Sequence, residues 1–315
     1  MVFLIQNTLI YAIPLLIVAL AGVFAERSGV INIALDGMMI FGSFVGAIFV
    51  SALKKTNVLV DHQQIIYVLA MLVSAVAGAL FSLLLSLSAV TLKADQTIGG
   101  TALNLLAPAI CNTFALAIFM QEKIVTDSDY AIVNDKLNPF LRIFADKAYI
   151  STYIAIVIFI LLSLWLYKTK TGLRMRACGE HPQAAASVGV NVYKMRYLGT
   201  TISGALAGLG GYIYIATTSA GTAEASVAGM GFLALAIMIF GNWKPLGIAL
   251  GSLLFGFLKC LGVVSSQIEF MKGWNLPMYF YNMLPYVIVL VVLALTAKKS
   301  GCPKAEGIPY DKGMR

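Results

Sequence analysis

The sequence predicts an all-α fold: a polytopic membrane protein of about nine transmembrane helices, within a range of about eight to ten. Three observations carry this. Of the 315 residues, 60% are hydrophobic and 11% charged. The mean hydropathy is +0.88. Apolar runs of roughly 20 residues, the length that spans a bilayer, recur from one end of the chain to the other. One soluble core cannot hide such a surplus, and a cleaved leader would give a single short apolar stretch followed by a polar chain. One membrane domain over residues 1–315, with no cleaved segment, is the expectation.

Taken in order, the uninterrupted apolar stretches run from Ile5 to Phe24, Ile33 to Val50, Ile65 to Val90, Ile98 to Phe119, Ile150 to Tyr167, Tyr197 to Thr217, Val227 to Phe240, Leu246 to Val264 and Tyr281 to Ala297. Pro14, Pro108 and Pro285 lie inside them. Bilayers tolerate such prolines because neighbouring helices and waters satisfy the freed carbonyls.

Lys168, Lys170, Arg174, Arg176, Lys194 and Arg196 face the single acid Glu180 between the fifth and sixth stretches, and Lys298, Lys299, Lys304, Lys312 and Arg315 follow the last one. Basic loops stay in the cytoplasm. Residues 168–196 therefore read as a cytoplasmic loop and 298–315 as a cytoplasmic tail. The acid-rich stretch from Gln121 to Tyr149 falls outside by alternation. With nine spans the N-terminus is outside and the C-terminus cytoplasmic, and Arg27, Lys93 and Lys244 also fall on the cytoplasmic side. Met39-Ile40-Phe41-Gly42-Ser43-Phe44 recurs as Met238-Ile239-Phe240-Gly241-Asn242-Trp243 in a helix of opposite direction, the pattern of an inverted repeat.

The net charge of +8 raises the question of nucleic acid. The cations sit in loops between apolar spans, where anchoring to membrane lipid explains them, so no nucleic-acid partner is expected. Cys111, Cys178, Cys260 and Cys302 form no CxxC pair. They read as packing residues or inert thiols, with no metal and no cofactor implied.

The basic loop is more than a connector. Pro182 suits the first position of a helix, Ala184, Ala185 and Ala186 extend it, and Gly189 ends it. Small residues on a short surface helix let a partner approach, and the cations favour an acidic partner or lipid headgroups. A solvated connector obeying the positive-inside rule explains the same residues.

The run Arg176-Ala177-Cys178-Gly179-Glu180-His181-Pro182-Gln183-Ala184-Ala185, followed by Gly189-Val190-Asn191-Val192, resembles the coupling loop of ABC permeases related to those for ribose and branched-chain amino acids. Phe24-Ala25-Glu26-Arg27-Ser28-Gly29-Val30-Ile31-Asn32-Ile33-Ala34-Leu35-Asp36-Gly37-Met38-Met39 and Gly231-Phe232 through Phe240-Gly241-Asn242-Trp243-Lys244-Pro245-Leu246-Gly247 resemble two signatures of the nucleoside permeases that work with basic-membrane-protein-type binding lipoproteins. Ile98-Gly99-Gly100-Thr101-Ala102-Leu103-Asn104-Leu105-Leu106-Ala107-Pro108 fits between them. The resemblance covers about Pro14 to Pro285. It departs at Asp36, where relatives commonly carry Glu, and over Gln121 to Tyr149, which matches no pattern.

The resemblance implies a single permease domain of a bacterial ABC importer for nucleosides, purines foremost, in the cytoplasmic membrane. It implies an ABC ATPase subunit docking on Arg176, Gly179, Glu180, Pro182, Ala184, Ala185 and Gly189, a second permease subunit in a homo- or heterodimer, and an extracytoplasmic substrate-binding lipoprotein. Riboflavin and simple sugars remain alternative solutes. An ion-coupled secondary transporter is the rival class, for which Asp36 is the one clearly embedded carboxylate. The sequence lacks Gly-x-x-x-x-Gly-Lys-Ser/Thr and any assembled nucleophile and base. The chain is therefore not expected to be an enzyme, and ATP hydrolysis belongs to a separate subunit.

Candidates for the solute path are Asn32, Asp36, Asn104, Asn112, Glu224 and Asn242, polar groups in or beside apolar spans. Each has a structural reading as well. Asparagines hydrogen-bond helix to helix, Asp36 has Arg27 as its expected ion-pair partner, and Glu224 fits a solvated outer loop. The Gly204 and Gly208 spacing signals close helix packing, within this chain or between subunits.

Overall fold

The computed structural model describes residues 2–56, 62–126, 130–132, 148–219, 221–264, 278–296 and 301–313. Most of the acid-rich stretch and residues 297–300 and 314–315 lie outside that set. The helices are α1 (Val2–Arg27), α2 (Leu35–Lys55), α3 (Gln63–Ser86), α4 (Gln96–Phe119), α5 (Ile150–Lys168), α6 (Lys170–Glu180), α7 (Pro182–Ser187), α8 (Val192–Thr218), α9 (Met230–Phe240), α10 (Pro245–Val264) and α11 (Met278–Thr296). A π-turn, Leu87–Thr91, continues α3. Each of the nine apolar stretches coincides with one helix. By length and composition alone, seven of the described helices can cross a membrane: α1, α2, α3 with its π-turn, α4, α5, α8 and α10. Helix α9 is shorter, at 11 residues.

Lipid tails are as apolar as leucine, so association inside a membrane depends on close packing rather than on escape from water. The chain uses small residues for it. Gly42 of α2 and Gly78 of α3 both press on Gly208 of α8: a Cβ added to Gly42 or Gly78 would overlap the Gly208 backbone, and one added to Gly208 would overlap the Ser74 carbonyl of α3. Gly204, one turn earlier on α8, packs on Ser82 and Gly78. The Gly204 and Gly208 pattern thus serves packing within the chain. Helices α1 and α8 form the centre, with 78% and 72% of their apolar windows buried, whereas α4 and α5, at 22% and 28%, form the rim.

One end of the bundle gathers Arg27, Lys93, the segment from α6 to the start of α8, and residues 301–313, tied by hydrogen bonds and ion pairs. The opposite end carries two short antiparallel ladders. There β1 (Ile124–Val125) pairs with β4 (Thr222–Ala223), and β2 (Ala131–Ile132) with β3 (Ala148–Tyr149). Tyr67 and Tyr130 stack beside them at 4.3 Å. The loops that alternation assigns to one side therefore meet at one end, called here the basic end.

Two expectations change. The span from Lys168 to Arg196 is largely helical, since α6 precedes the predicted α7. The matching hexapeptides occupy unlike positions: Met39 to Phe44 lies near the start of α2, while Met238 to Trp243 finishes α9 and makes the turn after it.

Candidate functional site

The site begins where α1 stops. Residues 28–34 leave α1 through a turn, the Ser28 and Val30 N–H groups donating to the Ala25 carbonyl and that of Gly29 to the Glu26 carbonyl, and α2 starts only at Leu35. The first amide groups of a helix have no partner within it, and here other helices supply them. Asn104 of α4 accepts the Gly37 N–H at 2.7 Å and donates to the Ile33 carbonyl at 2.9 Å, so one amide bridges the break. Gln96, buried one helix start away, accepts the Ile31 N–H at 2.7 Å. Asn32 is fully buried and donates to Ser203 Oγ at 2.8 Å, and its Oδ1 has no partner.

Asp36 faces another helix start. Its Oδ1 accepts the Gly231 N–H at 2.9 Å, with a further backbone hydrogen bond from Phe232, so the carboxylate caps α9. A carboxylate at a helix N-terminus is favoured by the exposed N–H groups and the helix dipole. The approach requires glycine, because a Cβ at Gly231 would overlap the Asp36 backbone. Helix α9 is about 16 Å long at 1.5 Å per residue, roughly half of the ~30 Å hydrocarbon core. Its C-terminal turn lies at the basic end, so its capped start sits deep within the bundle. Half-length helices whose N-termini point inward at mid-depth are a recurrent way to build a polar site in a membrane.

The expected Asp36–Arg27 ion pair is not formed. Arg27 Nη1 pairs with Glu180 Oε1 at 3.4 Å, because both lie at the basic end while Asp36 is carried inward by residues 28–34. Of the other path candidates, Asn32, Asp36 and Asn104 come together around the break, and the rest do not. Asn112 lies on the exposed face of α4, two turns beyond Asn104. Glu224 pairs with Lys123 at 2.6 Å at the opposite end, with both side chains about half exposed. Asn242 sits in the turn after α9, where its Oδ1 accepts the Gly301 N–H. Gly231 and Gln96 were not singled out. Gly231 lies inside the stretch from Gly231 to Gly247 that carries the family resemblance, but no pattern marks Gln96 as the partner of a broken segment.

The second part of the site is the surface of the basic end. Helix α7 has Pro182 at its first turn, and Gly189 closes it with φ +83° and an N–H to the Ala186 carbonyl at 3.0 Å. Ala184 is exposed, whereas Pro182 and Ala185 are buried beneath it. Arg176 stacks on Tyr167, its guanidinium 5.0 Å from the ring centroid. Exposed Val188 extends the small-residue face of the helix.

Residues 301–313, expected as a mere tail, dock onto this surface. The Ala305 N–H donates to the Gly179 carbonyl at 2.9 Å, and Arg196 Nη1 donates to the Ile308 carbonyl at 2.9 Å. Tyr310 is buried with Cys178, Ala185 and Val192 and lies edge-on to Tyr193. Lys93 pairs with Asp311 at 2.8 Å; this exposed ion pair holds the Lys93 ammonium above, and the Asp311 carboxyl below, their usual ranges.

Residues 4–293 match the family model described as branched-chain amino acid transport system / permease component. The chain is 39% identical to the nucleoside ABC transporter permease protein NupC of Lactococcus lactis over 98% of its length and 96% of the relative's. It is 37% identical to the guanosine ABC transporter permease protein NupQ of Bacillus subtilis, over 99% and 97%. It is also 24% identical to a second Lactococcus lactis chain, the nucleoside ABC transporter permease protein NupB, over 93% and 83%. No solved structure matches the chain at a significant level.

Proposed function

Because the chain belongs to the branched-chain amino acid transport system / permease component family, we propose that it is the membrane subunit of an ABC importer for nucleosides, purine nucleosides foremost. The observation that carries this reading is the near full-length identity to nucleoside and guanosine ABC permeases. The geometry supports a passive conduit with an external motor. Its polar groups at mid-depth suit a neutral, hydrogen-bonding solute, and its basic end presents a short helix to the surroundings. An ATPase subunit docks on α7 and its neighbours, from Arg176 to Gly189, which places the basic end and the C-terminus in the cytoplasm of a bacterial cell. A binding lipoprotein delivers solute at the opposite end.

In the conformation described here, Asp36 and Asn104 are occupied by protein partners. A solute reaches Asp36 when α9 swings away, so alternating access is the opening and reclosing of the Asp36–Gly231 contact. A second permease subunit completes the path. Asn112 supports this, since an amide exposed on a membrane-crossing helix needs a protein or water partner. Two permeases of one description in Lactococcus lactis, at 39% and 24% identity, support a pair of unlike chains.

The test is reconstitution in liposomes with an ABC ATPase, a second permease and a binding lipoprotein from the same organism, with radiolabelled guanosine outside and ATP within. Uptake that requires ATP, and cysteine crosslinking from position 184 to the ATPase, are the expected results. Guanosine uptake that continues without the ATPase would refute the reading.

A further inference from the structure

The turn joining α9 to α10 holds two consecutive non-glycine residues in the left-handed region, Asn242 at φ +53° and Trp243 at φ +55°. Such backbone is costly and persists only where the surroundings over-determine it. Three other elements do so here. The Trp243 indole N–H donates to Glu26 of α1, the Trp243 carbonyl accepts from Tyr167 of α5, and Asn242 Oδ1 accepts the Gly301 N–H. The first two anchors belong to helices of the bundle. The third belongs to the docked strap, residues 301–313.

That same strap grips the surface assigned to the motor. Within five residues of Gly301 it bonds the Gly179 carbonyl at the end of α6 through the Ala305 N–H, and Tyr310 packs against Ala185 of α7. Arg196, fully buried at the start of α8, holds the Ile308 carbonyl. One short peptide is therefore attached both to the segment an ATPase would push and to the turn at one end of α9. The other end of α9 is the one that closes on Asp36.

We propose that residues 301–313 are a relay that transmits displacement of the α6–α7 segment to α9, with Asn242 as the positioning residue that receives it. The inference rests on the ABC-permease reading above and extends it. In sequence α8 and two connecting segments separate α7 from α9; α1 also joins α6 to this turn through the Arg27–Glu180 pair and the Glu26–Trp243 hydrogen bond, and the strap is the link that ends on Asn242. The strap's attachments to Gly179 at the end of α6 and to Asn242 after α9 make it a continuous physical link between the two, the kind of contact chain that carries coupling.

The experiment uses the full chain in the reconstituted transporter and compares Asn242→Gly with Asn242→Asp. Both substitutes accept the left-handed backbone, and only Asp keeps an acceptor for the Gly301 N–H. Guanosine uptake and ATP hydrolysis are measured on the same vesicles. For Asn242→Gly, hydrolysis stays near the wild-type rate while guanosine imported per ATP falls about tenfold. Asn242→Asp restores most of that ratio. A chain ending at Ser300 gives the Asn242→Gly phenotype, and thermal unfolding in detergent confirms that each variant is folded. An unchanged ratio for Asn242→Gly overturns the relay, as does failure of that variant alone to assemble with the ATPase, because the strap would then serve assembly. If the wild-type chain never co-purifies with the ATPase, the ABC-permease reading itself fails, and that result is distinct from both.

Discussion

The Asp36 carboxylate accepts the Gly231 amide across 195 residues of sequence, at 2.9 Å, and so joins the first turn of α2 to the first turn of α9. Two helix starts thereby share one charge at mid-depth. Asp36→Ala removes the cap, at a cost of about 1 kcal/mol, and lowers guanosine uptake in whole cells by about fivefold, the factor that this free energy represents. Asp36→Asn keeps an acceptor and retains more uptake than Asp36→Ala. Equal uptake by both variants and the wild type would show that the contact plays no part in transport.

The Gly42, Gly78 and Gly208 contact leaves no room for a side chain. Gly208→Leu forces α8 away from α2 and α3, and overpacking of this kind costs roughly 1–3 kcal/mol. Thermal unfolding of the detergent-solubilised chain is expected several degrees lower than wild type. An unaltered midpoint would mean that the helices do not meet there.

Cys302 is exposed, whereas Cys111, Cys178 and Cys260 are buried. Its sulfur nonetheless lies 2.6 Å from Glu306 Oε2, and burial, followed by that carboxyl, pushes the thiol up to about 12. Only the thiolate reacts with maleimide. Labelling in the native protein is therefore slow at neutral pH and keeps rising past about pH 10, where an ordinary thiol of pKa ~8.5 has levelled off. Glu306→Gln removes the negative neighbour and speeds labelling several-fold at any fixed pH below the plateau. A wild-type profile that is flat by about pH 10 would contradict the placement of the strap.

Glu224 and Lys123 form an exposed pair at the end opposite α7. Surface pairs contribute about 0–1 kcal/mol. Glu224→Ala is accordingly expected to leave both guanosine uptake and the unfolding midpoint close to wild type. A severe transport defect in folded protein would return Glu224 to the solute path.

The helices were legible because each is an apolar run whose length the bilayer dictates, and α7 was legible because Pro182, the alanines and Gly189 act on their own backbone. The site was legible only in part. Asp36 and Asn104 stood out as polar residues in apolar spans, but what they hold lies on other helices: Gly231 for one, Ile33 and Gly37 for the other. Arg27 looked like the partner of Asp36 because it is near in sequence; residues 28–34 are non-helical, which separates them in depth. The strap has Gly301, Pro303, Gly307 and Pro309, no helical period and the two lysines Lys304 and Lys312, so it reads as a solvated tail. Its order comes from Gly179, Arg196 and Asn242, residues that no local rule connects to it.

Where Gly42, Gly78 and Gly208 touch, main chain rests on main chain. Leucines can exchange rotamers and let two helices slip past one another; bare peptide planes have nothing to exchange. Helices α2, α3 and α8 thus make up the stator of this machine, and its moving parts must turn around them.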